Sequence, residues 1–354
     1  MSGTSLNGVD IALCEIDDVR CTLLASTEYN FPQELKAEIL HLISHPVTLK
    51  QIGECDSKLG LLFAKCINTF LINNALHVTS IAAIGLHGQT LWHEPDSAYP
   101  FSLQLGNPNI VAAKTGITTV ADFRRMDMAN SGQGAPFAPV FHQFLFAQEK
   151  DKCALVNIGG MANISLLFDE LQGWDVGCGN VLMDLWVQRT QNRSYDEDGV
   201  FAQSGELNEA LLQKMLSDNY FTKKPPKSTG REYFNEQWLT KQLQNFTHIS
   251  DAQVQRTLLE LTAQSIANDI NATKATQLIV CGGGAKNSFL LNRLTELCRI
   301  NVIPSDTLGI SSDFLESMAF AWFAKKRLHK EPLALSSVTG AKKDSIAGAV
   351  YEAD

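Results

Sequence analysis

The sequence predicts an α/β protein, and two observations lead to this prediction. Short apolar runs that are typical of buried strands alternate along the chain with longer stretches of helical periodicity. Glycine-rich turns also recur at strand ends in both halves of the chain. A length of 354 residues favours about two domains.

The composition excludes several classes of protein. Hydrophobic residues make up 45% and charged residues 19% of the chain, which is typical of a folded protein. The formal net charge of −9 favours neither nucleic acid nor an anionic membrane surface as a partner. No apolar run reaches the about 18 residues needed to span a bilayer, and no signal-peptide pattern is visible, so we expect a cytoplasmic protein.

The cysteines are scattered along the chain, with no CxxC pair and no histidine at ligand spacing. They stand at Cys14, Cys21, Cys55, Cys66, Cys153, Cys178, Cys281 and Cys298. This scatter predicts free thiols in a reducing compartment, without disulfides and without a structural metal site.

Periodicity predicts the individual elements. Apolar runs predict strands in residues 9–14, 21–26, 81–85, 101–105, 117–121, 153–158, 164–168 and 277–281. Apolar positions three or four residues apart predict helices in residues 50–75, 180–192, 254–272, 285–298 and 312–329. The basic, proline-rich segment 223–230 fits no regular element, so we expect it to be a linker or the edge of a site.

The amino end begins with a turn-forming segment, residues 3–8, that leads directly into the strand at 9–14. A hairpin turn normally has a strand before it, so we expect the natural first hairpin to begin upstream of Met1. A similar glycine turn, Gly159-Gly160, lies inside residues 155–165, about half a chain away. The two turns together suggest an internal duplication.

Glycine turns of this kind can bind phosphate groups. They leave backbone N–H groups free, and without a Cβ atom a phosphate oxygen can approach closely. A third cluster, Gly282-Gly283-Gly284, follows a strand and opens a helix, where a nucleoside could lie against the backbone. For any single cluster, a tight turn without a ligand is the alternative. The spacings match neither a P-loop nor a dinucleotide fingerprint.

Two carboxylates are candidates for chemistry. Asp184 lies in the first turn of the helix that follows the Gly177–Gly179 turn, where it could accept a proton or simply favour the helix start. Glu316 lies on a largely apolar helix, so it is expected to be paired or functional.

A basic pair and a histidine are candidates for substrate binding. Arg124 and Arg125 lie between Asp122 and Asp127, which predicts either a surface salt-bridge cluster or a fork for an anionic group. His87 follows an apolar strand and could line a pocket, although a buried, hydrogen-bonded histidine has the same pattern.

Several strings, in chain order, resemble the anhydro-N-acetylmuramic acid kinase family. They are MSGTSLNGVD, GLHGQTLWHEP, LQLGNPNIVAAKTGITTVADFRRMD, GQGAPFAPVFH, NIGGMANIS, WDVGCGNVLMDLW, PPKSTGREYF, LTAQSIA, CGGGAKN and SVTGA. The resemblance covers nearly the whole chain. It implies an actin-like (ribonuclease H-like), duplicated α/β fold of two lobes with MgATP in the cleft. We expect an amino-terminal lobe of residues 1–125 and a carboxy-terminal lobe of residues 126–354, with the last helix packing back on the first lobe.

The resemblance also implies a reaction. The family phosphorylates 1,6-anhydro-N-acetylmuramic acid, a cell-wall recycling product, and opens its anhydro ring with water to give N-acetylmuramic acid 6-phosphate. By match to the family's DTGPGN-x-L-x-D block, Asp184 would be the base. Arg124 would bind the lactyl carboxylate or other polar groups, and Glu316 and His87 would contact the sugar. A homodimer is implied as well.

The nucleotide and its metal ion would be bound by the glycine turns. The residues implied are Gly3, Thr4, Ser5, Leu6, Asn7, Gly8, Val9, Asp10, Gly159, Gly160, Gly282, Gly283 and Gly284. Asp10 is in addition the candidate ligand for Mg²⁺, which would be bound mainly through ATP.

The chain departs from the family pattern in ways that could lower activity. Asn7 replaces the usual Asp of the first turn, and DVGCGN, with Val176 and Cys178, replaces DTGPGN. The strand missing before the first turn would remove one wall of that hairpin. These departures leave a second interpretation open, a catalytically weak sensor that binds ATP or the sugar.

Overall fold

The computed structural model describes residues 1–2, 8–146, 152–225, 227–231 and 233–353. Five predicted nucleotide contacts, Gly3, Thr4, Ser5, Leu6 and Asn7, therefore lie outside the described residues. The chain divides into two compact units. Unit 1 comprises Met1–Leu145 and Phe314–Asp354, and unit 2 comprises Phe146–Asp313.

The strands are numbered in chain order. They are β1 (Gly8–Ile16), β2 (Cys21–Asn30), β3 (Ile84–Gly85), β4 (Gln89–Glu94), β5 (Phe101–Leu105), β6 (Thr119–Ala121), β7 (Cys153–Ile158), β8 (Met161–Leu166), β9 (Gln172–Cys178), β10 (Gln277–Cys281), β11 (Asn301–Pro304) and β12 (Ala349–Tyr351).

The α-helices are numbered in the same way. They are α1 (Gln33–Ser44), α2 (Leu49–Asn73), α3 (Pro108–Thr115), α4 (Arg124–Ala129), α5 (Ala138–Leu145), α6 (Val181–Gln191), α7 (Val200–Gln203), α8 (Glu209–Leu216), α9 (Asn219–Thr222), α10 (Glu236–Leu243), α11 (Asp251–Asn271), α12 (Ser288–Leu297), α13 (Leu315–Leu328) and α14 (Ser336–Thr339). None of the helices in the described part of the chain is long and apolar enough to cross a membrane.

Unit 2 is built on one mixed sheet of order β11-β10-β7-β8-β9. Strands β7, β8 and β9 form an antiparallel meander, whereas β10 and β11 run parallel to β7. Strand β7 lies in the middle of the sheet, and five of its six residues are buried. This explains its continuous apolar sequence, because a central strand of such a sheet is covered on both faces.

Helix α11 is the main helix of unit 2. A capping box fixes its start, since the Ser250 side chain accepts from the Gln253 amide and the Gln253 side chain accepts from the Ser250 amide. Its residues Leu258, Leu261 and Ile266 are buried in the core that also contains Val156 of β7. The helix thus supports the sheet directly below the glycine turns.

Unit 1 contains two antiparallel hairpins, β1-β2 and β4-β5, and a sheet of order β12-β6-β3 in which β3 and β6 are parallel. The predicted apolar stripe of α2 is confirmed. Of its positions, Cys55, Leu59, Phe63, Cys66 and Phe70 are buried, and Ile52 is half-buried.

The two units share an order of elements. In unit 2 the β8-β9 hairpin precedes the parallel pair β10-β11, and in unit 1 the β1-β2 hairpin precedes the parallel pair β3-β6. The strand order of unit 2, with one antiparallel meander and two parallel strands, is that of the ribonuclease H-like fold. The predicted class, a duplicated α/β fold of the actin-like type, is thereby confirmed.

Unit 1 differs from unit 2 at the position that corresponds to β7. Among the described strands β1 pairs only with β2, and a cavity of about 430 Å³ lies between β1 and the segment that contains β3. The cavity is lined mainly by apolar side chains such as Ile11, Leu13 and Ile84. Met1 also lines the cavity. Two hydrogen bonds hold Met1 against β1: the Met1 nitrogen donates to the Asp10 carbonyl at 2.8 Å, and the Asp10 nitrogen donates to the Met1 carbonyl at 2.9 Å.

The observed units differ from the predicted lobes, which were divided at residue 125. Residues 126–145 and 314–353 belong to unit 1. Strand β12 pairs with β6, and α13 brings Trp322 and Phe323 against the aromatic rings of Phe137 and Phe141. The carboxy-terminal segment completes the first unit because that unit cannot bury β6 and α5 without it.

Candidate active site

The glycine turn between β7 and β8 lies against the start of α6. The carbonyl of Gly159 accepts from Asn180 N at 2.8 Å, and the carbonyl of Gly160 accepts from Gly179 N at 2.9 Å. A Cβ atom on Gly179 would lie 2.4 Å from the Gly159 oxygen, so only glycine allows this approach. The turn and the helix start therefore form one rigid piece of backbone.

The Gly282-Gly283-Gly284 cluster lies at the same end of the sheet. Strands β7 and β10 are parallel neighbours, with Cys281 opposite Asn157, so the segments that follow them emerge at the same edge. Gly282 has φ +78°, and a Cβ atom there would lie 2.3 Å from Oδ1 of Asn157. A Cβ atom on Gly284 would lie 2.5 Å from the Ile158 side chain. Unit 2 thus brings together the Gly159-Gly160 and Gly282-Gly283-Gly284 clusters predicted to bind the nucleotide.

Asp184 lies at this edge, in the first turn of α6, where its amide donates to the Asn180 carbonyl at 2.8 Å. Burial is the main cause that raises the pKa of Asp184 to about 7. The negative charge of Asp196 raises the pKa further, whereas the positive charge of Arg231 opposes the rise. A carboxylate with this pKa is well suited to accept a proton near neutral pH.

Asp196 was not singled out by the sequence. It is buried, and its carboxylate accepts from the amides of Phe201 at 2.8 Å and Ala202 at 2.9 Å and from the Gln255 side chain at 3.2 Å. These bonds hold the Asp196 carboxylate in place, and its negative charge is one of the causes that raise the pKa of Asp184.

The turn that carries the unusual DVGCGN sequence is held by α11. The Thr262 hydroxyl lies 3.2 Å from the Cys178 carbonyl oxygen and 2.9 Å from that of Gly179. Val176 and Cys178 are buried, and burial raises the pKa of the Cys178 thiol to about 12. Thr262 therefore fixes this turn by hydrogen bonds, although the proline of the family pattern is absent, and the thiol is unreactive.

Arg231 is a second residue that the sequence did not single out as a site residue. It belongs to the loop after α9, and its guanidinium lies at the Gly159-Gly160 turn. A Cβ atom built on Gly160 would lie 3.5 Å from Nη2 of Arg231. The available signal was a single arginine directly after the proline-rich, basic segment 223–230.

Unit 1 contains the predicted sugar contacts. Nη2 of Arg124 donates to Nε2 of His87 at 3.0 Å, and the His87 ring packs on Phe320 with 4.7 Å between centroids. Burial, and next the positive charge of Arg124, hold the pKa of His87 well below its usual value, so this imidazole is neutral. Burial lowers the pKa of Arg124 to about 10, and the negative charge of Glu316 opposes that shift. Arg124, His87 and Glu316 are thus brought into one electrostatic group.

His87 also lines a cavity of about 340 Å³ within unit 1, together with Gln104 and Asp122. Both interpretations of His87 from the sequence therefore apply, because the ring is buried and hydrogen-bonded and also borders a pocket. Glu316 lies in the first turn of α13 and is exposed.

The two arginines of the basic pair have different roles. Arg125 is exposed and its Nε lies 3.5 Å from Oδ1 of Asp122, which is the surface salt bridge of one prediction. Asp127 is fully buried and accepts from Gly134 N at 2.7 Å and from the Thr339 hydroxyl at 2.7 Å. Only Arg124 turns inward, so the pair does not act as a fork.

The remaining predicted nucleotide contacts, Gly8, Val9 and Asp10, begin β1. Val9 is buried in the core of unit 1. In the described part of the chain, no group of three or more His, Cys, Asp or Glu side chains could hold a metal ion. Asp10 could therefore provide only one of several oxygen ligands of a magnesium ion.

Comparison with known proteins shows the family of this chain. The family model described as anhydro-N-acetylmuramic acid kinase matches residues 1–353. The chain is 53% identical to the anhydro-N-acetylmuramic acid kinase of Sulfurimonas denitrificans, with 99% of this chain and 98% of the relative covered. It is 46% identical to the enzyme of the same name from Pasteurella multocida, with 99% and 95% covered.

A solved structure, the activator of the 2-hydroxyisocaproyl-CoA dehydratase from Clostridium difficile with bound ADPNP, has a TM-score of 0.35. It is 13% identical, and the match covers 63% of this chain and 84% of that structure's chain. The match of the family model over almost every residue, together with the two full-length relatives, decides the assignment. The chain belongs to the anhydro-N-acetylmuramic acid kinase family.

Proposed function

We propose that this protein is the ATP-dependent kinase that opens 1,6-anhydro-N-acetylmuramic acid and phosphorylates its 6-oxygen, in the recycling of cell-wall material. Membership of a kinase family supports this function, and so do the names of its full-length relatives. The observation that carries the proposal is the position of Asp184, a half-buried carboxylate with a pKa of about 7 beside the Gly159-Gly160 turn.

The reaction needs one proton acceptor and one phosphoryl acceptor. Asp184 takes a proton from water while the water oxygen attacks the anomeric carbon of the sugar. The bond between that carbon and the 6-oxygen breaks, the 6-oxygen forms a bond to the γ-phosphorus, and ADP leaves. The product is N-acetylmuramic acid 6-phosphate.

The nucleotide is assigned to the glycine turns of unit 2. At Gly159 and Gly160 the backbone has no Cβ atom that would keep a phosphate oxygen away, and the start of α6 lies beside it. Gly282, Gly283 and Gly284 are assigned to the adenosine side, where φ +78° at Gly282 requires glycine. Gly8, Val9 and Asp10 of unit 1 remain assigned to the nucleotide as well.

Magnesium is expected to bind mainly through the phosphate groups of ATP. It prefers oxygen ligands and keeps several waters, so one protein carboxylate is sufficient. Asp10 is a carboxylate of the right chemistry, and its site would lie at the start of β1. When bound, the ion would neutralise charge on the phosphate groups.

The sugar is assigned to residues of unit 1. Arg124 is the proposed partner of the lactyl carboxylate, since a guanidinium binds a carboxylate through paired hydrogen bonds. His87 holds Arg124 in place by the bond of 3.0 Å, and Glu316 is the proposed hydroxyl contact. A homodimer remains a prediction of the family resemblance, and a cytoplasmic location remains a prediction of the sequence pattern.

Coupled ADP release with MgATP and the anhydro sugar tests the proposal. We expect Asp184→Asn to lower kcat by at least about 10²-fold, because general-base catalysis contributes about 10²–10⁴. Asp169→Asn is the matched control, because Asp169 is exposed and its φ of 55° suits asparagine. N-acetylmuramic acid should not be phosphorylated, because it has no anhydro bond to open.

Near wild-type turnover of Asp184→Asn would refute the assignment of the base. Binding of ATP or the sugar by the wild-type chain without turnover would favour a sensor of the same fold. The departures from the family pattern, Asn7 in place of Asp together with Val176 and Cys178, are the features of the sequence that keep the sensor as second candidate.

A further inference from the structure

The loop that precedes Arg231 is anchored at several points in unit 2. The Asp175 carboxylate on β9 accepts from the Ser228 hydroxyl at 2.7 Å and from the Thr229 amide at 3.0 Å. The Asp175 amide donates to the Lys227 carbonyl at 3.0 Å. A segment that the sequence predicts to be a linker or the edge of a site is thus tied to the central sheet.

A buried ion pair adds a further anchor. Nζ of Lys227 lies 3.1 Å from Oδ2 of Asp269, and the Lys227 side chain is only 2% exposed. Nε1 of Trp174 donates to the same carboxylate at 2.8 Å. Ordering such a loop costs conformational entropy, so its many anchors indicate that what it carries has to be held in place.

The loop carries Arg231 to the phosphate side of the site. Its Nη2 lies 3.5 Å and its Nε 3.8 Å from the position that a Cβ atom would take on Gly160. The same guanidinium acts electrostatically on Asp184. Arg231 therefore stands near both the turn assigned to phosphate and the carboxylate assigned to the base.

We propose that Arg231 binds the transferring γ-phosphoryl group and stabilises its charge in the transition state, and that Asp175 is the residue that positions it. This inference rests on the proposed function. In phosphoryl transfer, charge spreads over the equatorial oxygens, and an arginine that donates to them contributes more to the transition state than to the ground state. The planar guanidinium can donate two parallel hydrogen bonds to a phosphate.

The test uses the full chain and the variants Arg231→Met and Arg231→Lys, with exposed Arg193→Met as control. We expect Arg231→Met to lower kcat by about 10²-fold or more, as for the loss of one strong transition-state donor, and Arg231→Lys to keep part of the rate. Affinity for ADP, which has no γ-phosphate, should not change. Affinity for the non-hydrolysable analogue ADPNP should fall.

The dependence of kcat on pH separates binding of the γ-phosphoryl group by Arg231 from a purely electrostatic effect of Arg231 on Asp184. If Arg231 only lowered the pKa of Asp184, Arg231→Met would regain the wild-type rate at high pH, and that result would overturn the proposal. A kcat within about threefold of wild type at all pH values would overturn it as well.

Asp175→Asn tests the positioning role. We expect kcat to fall with little change in KM for the sugar, and the double variant with Arg231→Met to lose no more than Arg231→Met alone, since both changes remove one interaction. Additive losses would refute the coupling of Asp175 to Arg231.

A failure of the proposed function is distinguishable from a failure of this inference. If the wild-type chain did not turn over the anhydro sugar, the proposed function would fail. Calorimetric titration with ADPNP and ADP would still decide whether Arg231 contacts a γ-phosphate, and equal loss of both affinities in Arg231→Met would refute it.

Discussion

Asp184 and Asp196 are two carboxylates of unit 2 with different environments. Three hydrogen bonds hold the carboxylate of Asp196 in place, whereas burial raises the pKa of Asp184. Burial and a neighbouring negative charge raise the pKa of a carboxyl group, which is how a protein obtains a base that works near pH 7. At the scale of single residues, the chemistry therefore depends on burial and on neighbouring charge.

The pH dependence of activity should report this environment. Below about pH 7, kcat/KM for the sugar should rise about tenfold per pH unit, and it should level off above, because Asp184 must be ionised to accept a proton. Asp196→Asn removes a negative charge that raises the pKa of Asp184, so the rising limb should move to lower pH. As the control, Asp169→Asn should leave the rising limb of the kcat/KM profile at the same pH. A limb that does not move in Asp196→Asn would contradict the electrostatic coupling.

At the scale of elements, β1 pairs only with β2 among the described strands, whereas β8 pairs with both β7 and β9 in unit 2. The predicted strand at 81–85 is observed only as β3, residues Ile84–Gly85, and the cavity of about 430 Å³ lies between it and β1. The terminal ammonium of Met1 is inside this region, and burial lowers its pKa. A strand that continued backwards from Met1 would run antiparallel to β1 along the cavity.

An extension at Met1 should therefore stabilise unit 1. Adding about six apolar, β-branched residues there should raise the melting temperature by about 5 °C, since roughly 1 kcal/mol shifts it by 2–4 °C in a unit of this size. The gain would come from covering apolar surface and from replacing a buried ammonium by an amide. An extension of glycine and serine is the control. Equal melting temperatures would show that no strand occupies the cavity.

Several elements that the pattern predicts are observed, and they include both amphipathic helices and a fully buried strand. Helices α2, α6 and α11 and strands β1, β7 and β10 lie where the pattern places them. Strands β4, β9, β11 and β12 and several shorter helices, such as α1, were not predicted, and the predicted strand at 117–121 is observed only as β6, Thr119–Ala121. Strand β9 contains glycine at 173 and 177 and a polar residue at 175, so its burial depends on α11 rather than on its own pattern.

At the scale of the molecule, unit 1 is discontinuous and unit 2 is one continuous segment. Helix α13 supplies Trp322 and Phe323, which are buried against aromatic rings of the first 145 residues. Strand β12 pairs with β6 along three residues. The amino-terminal part therefore needs the carboxy-terminal part to complete its core.

Truncation after Asp313 should unfold unit 1 selectively. The truncation removes the buried aromatic side chains of Trp322 and Phe323. Loss of one such side chain from a core lowers the free energy of unfolding by about 3–5 kcal/mol. Hydrogen exchange should show loss of protection in α2 and β6, with protection retained in β7 and α11. Truncation after Tyr351 is the control. Unchanged exchange in α2 would contradict the dependence of unit 1 on its last segment.

The sequence by itself determined the α/β class, the glycine turns, the helix with Asp184 and the family, because these depend on local periodicity and on ordered strings. The tertiary structure alone decided that Arg124 rather than Arg125 turns inward, how far Asp184 is buried, and that Arg231 lies at the Gly160 turn. It also decided the unit boundaries. These features depend on contacts between residues far apart in the chain, such as the anchoring of the loop by Asp175 and Asp269, and no local pattern records such contacts.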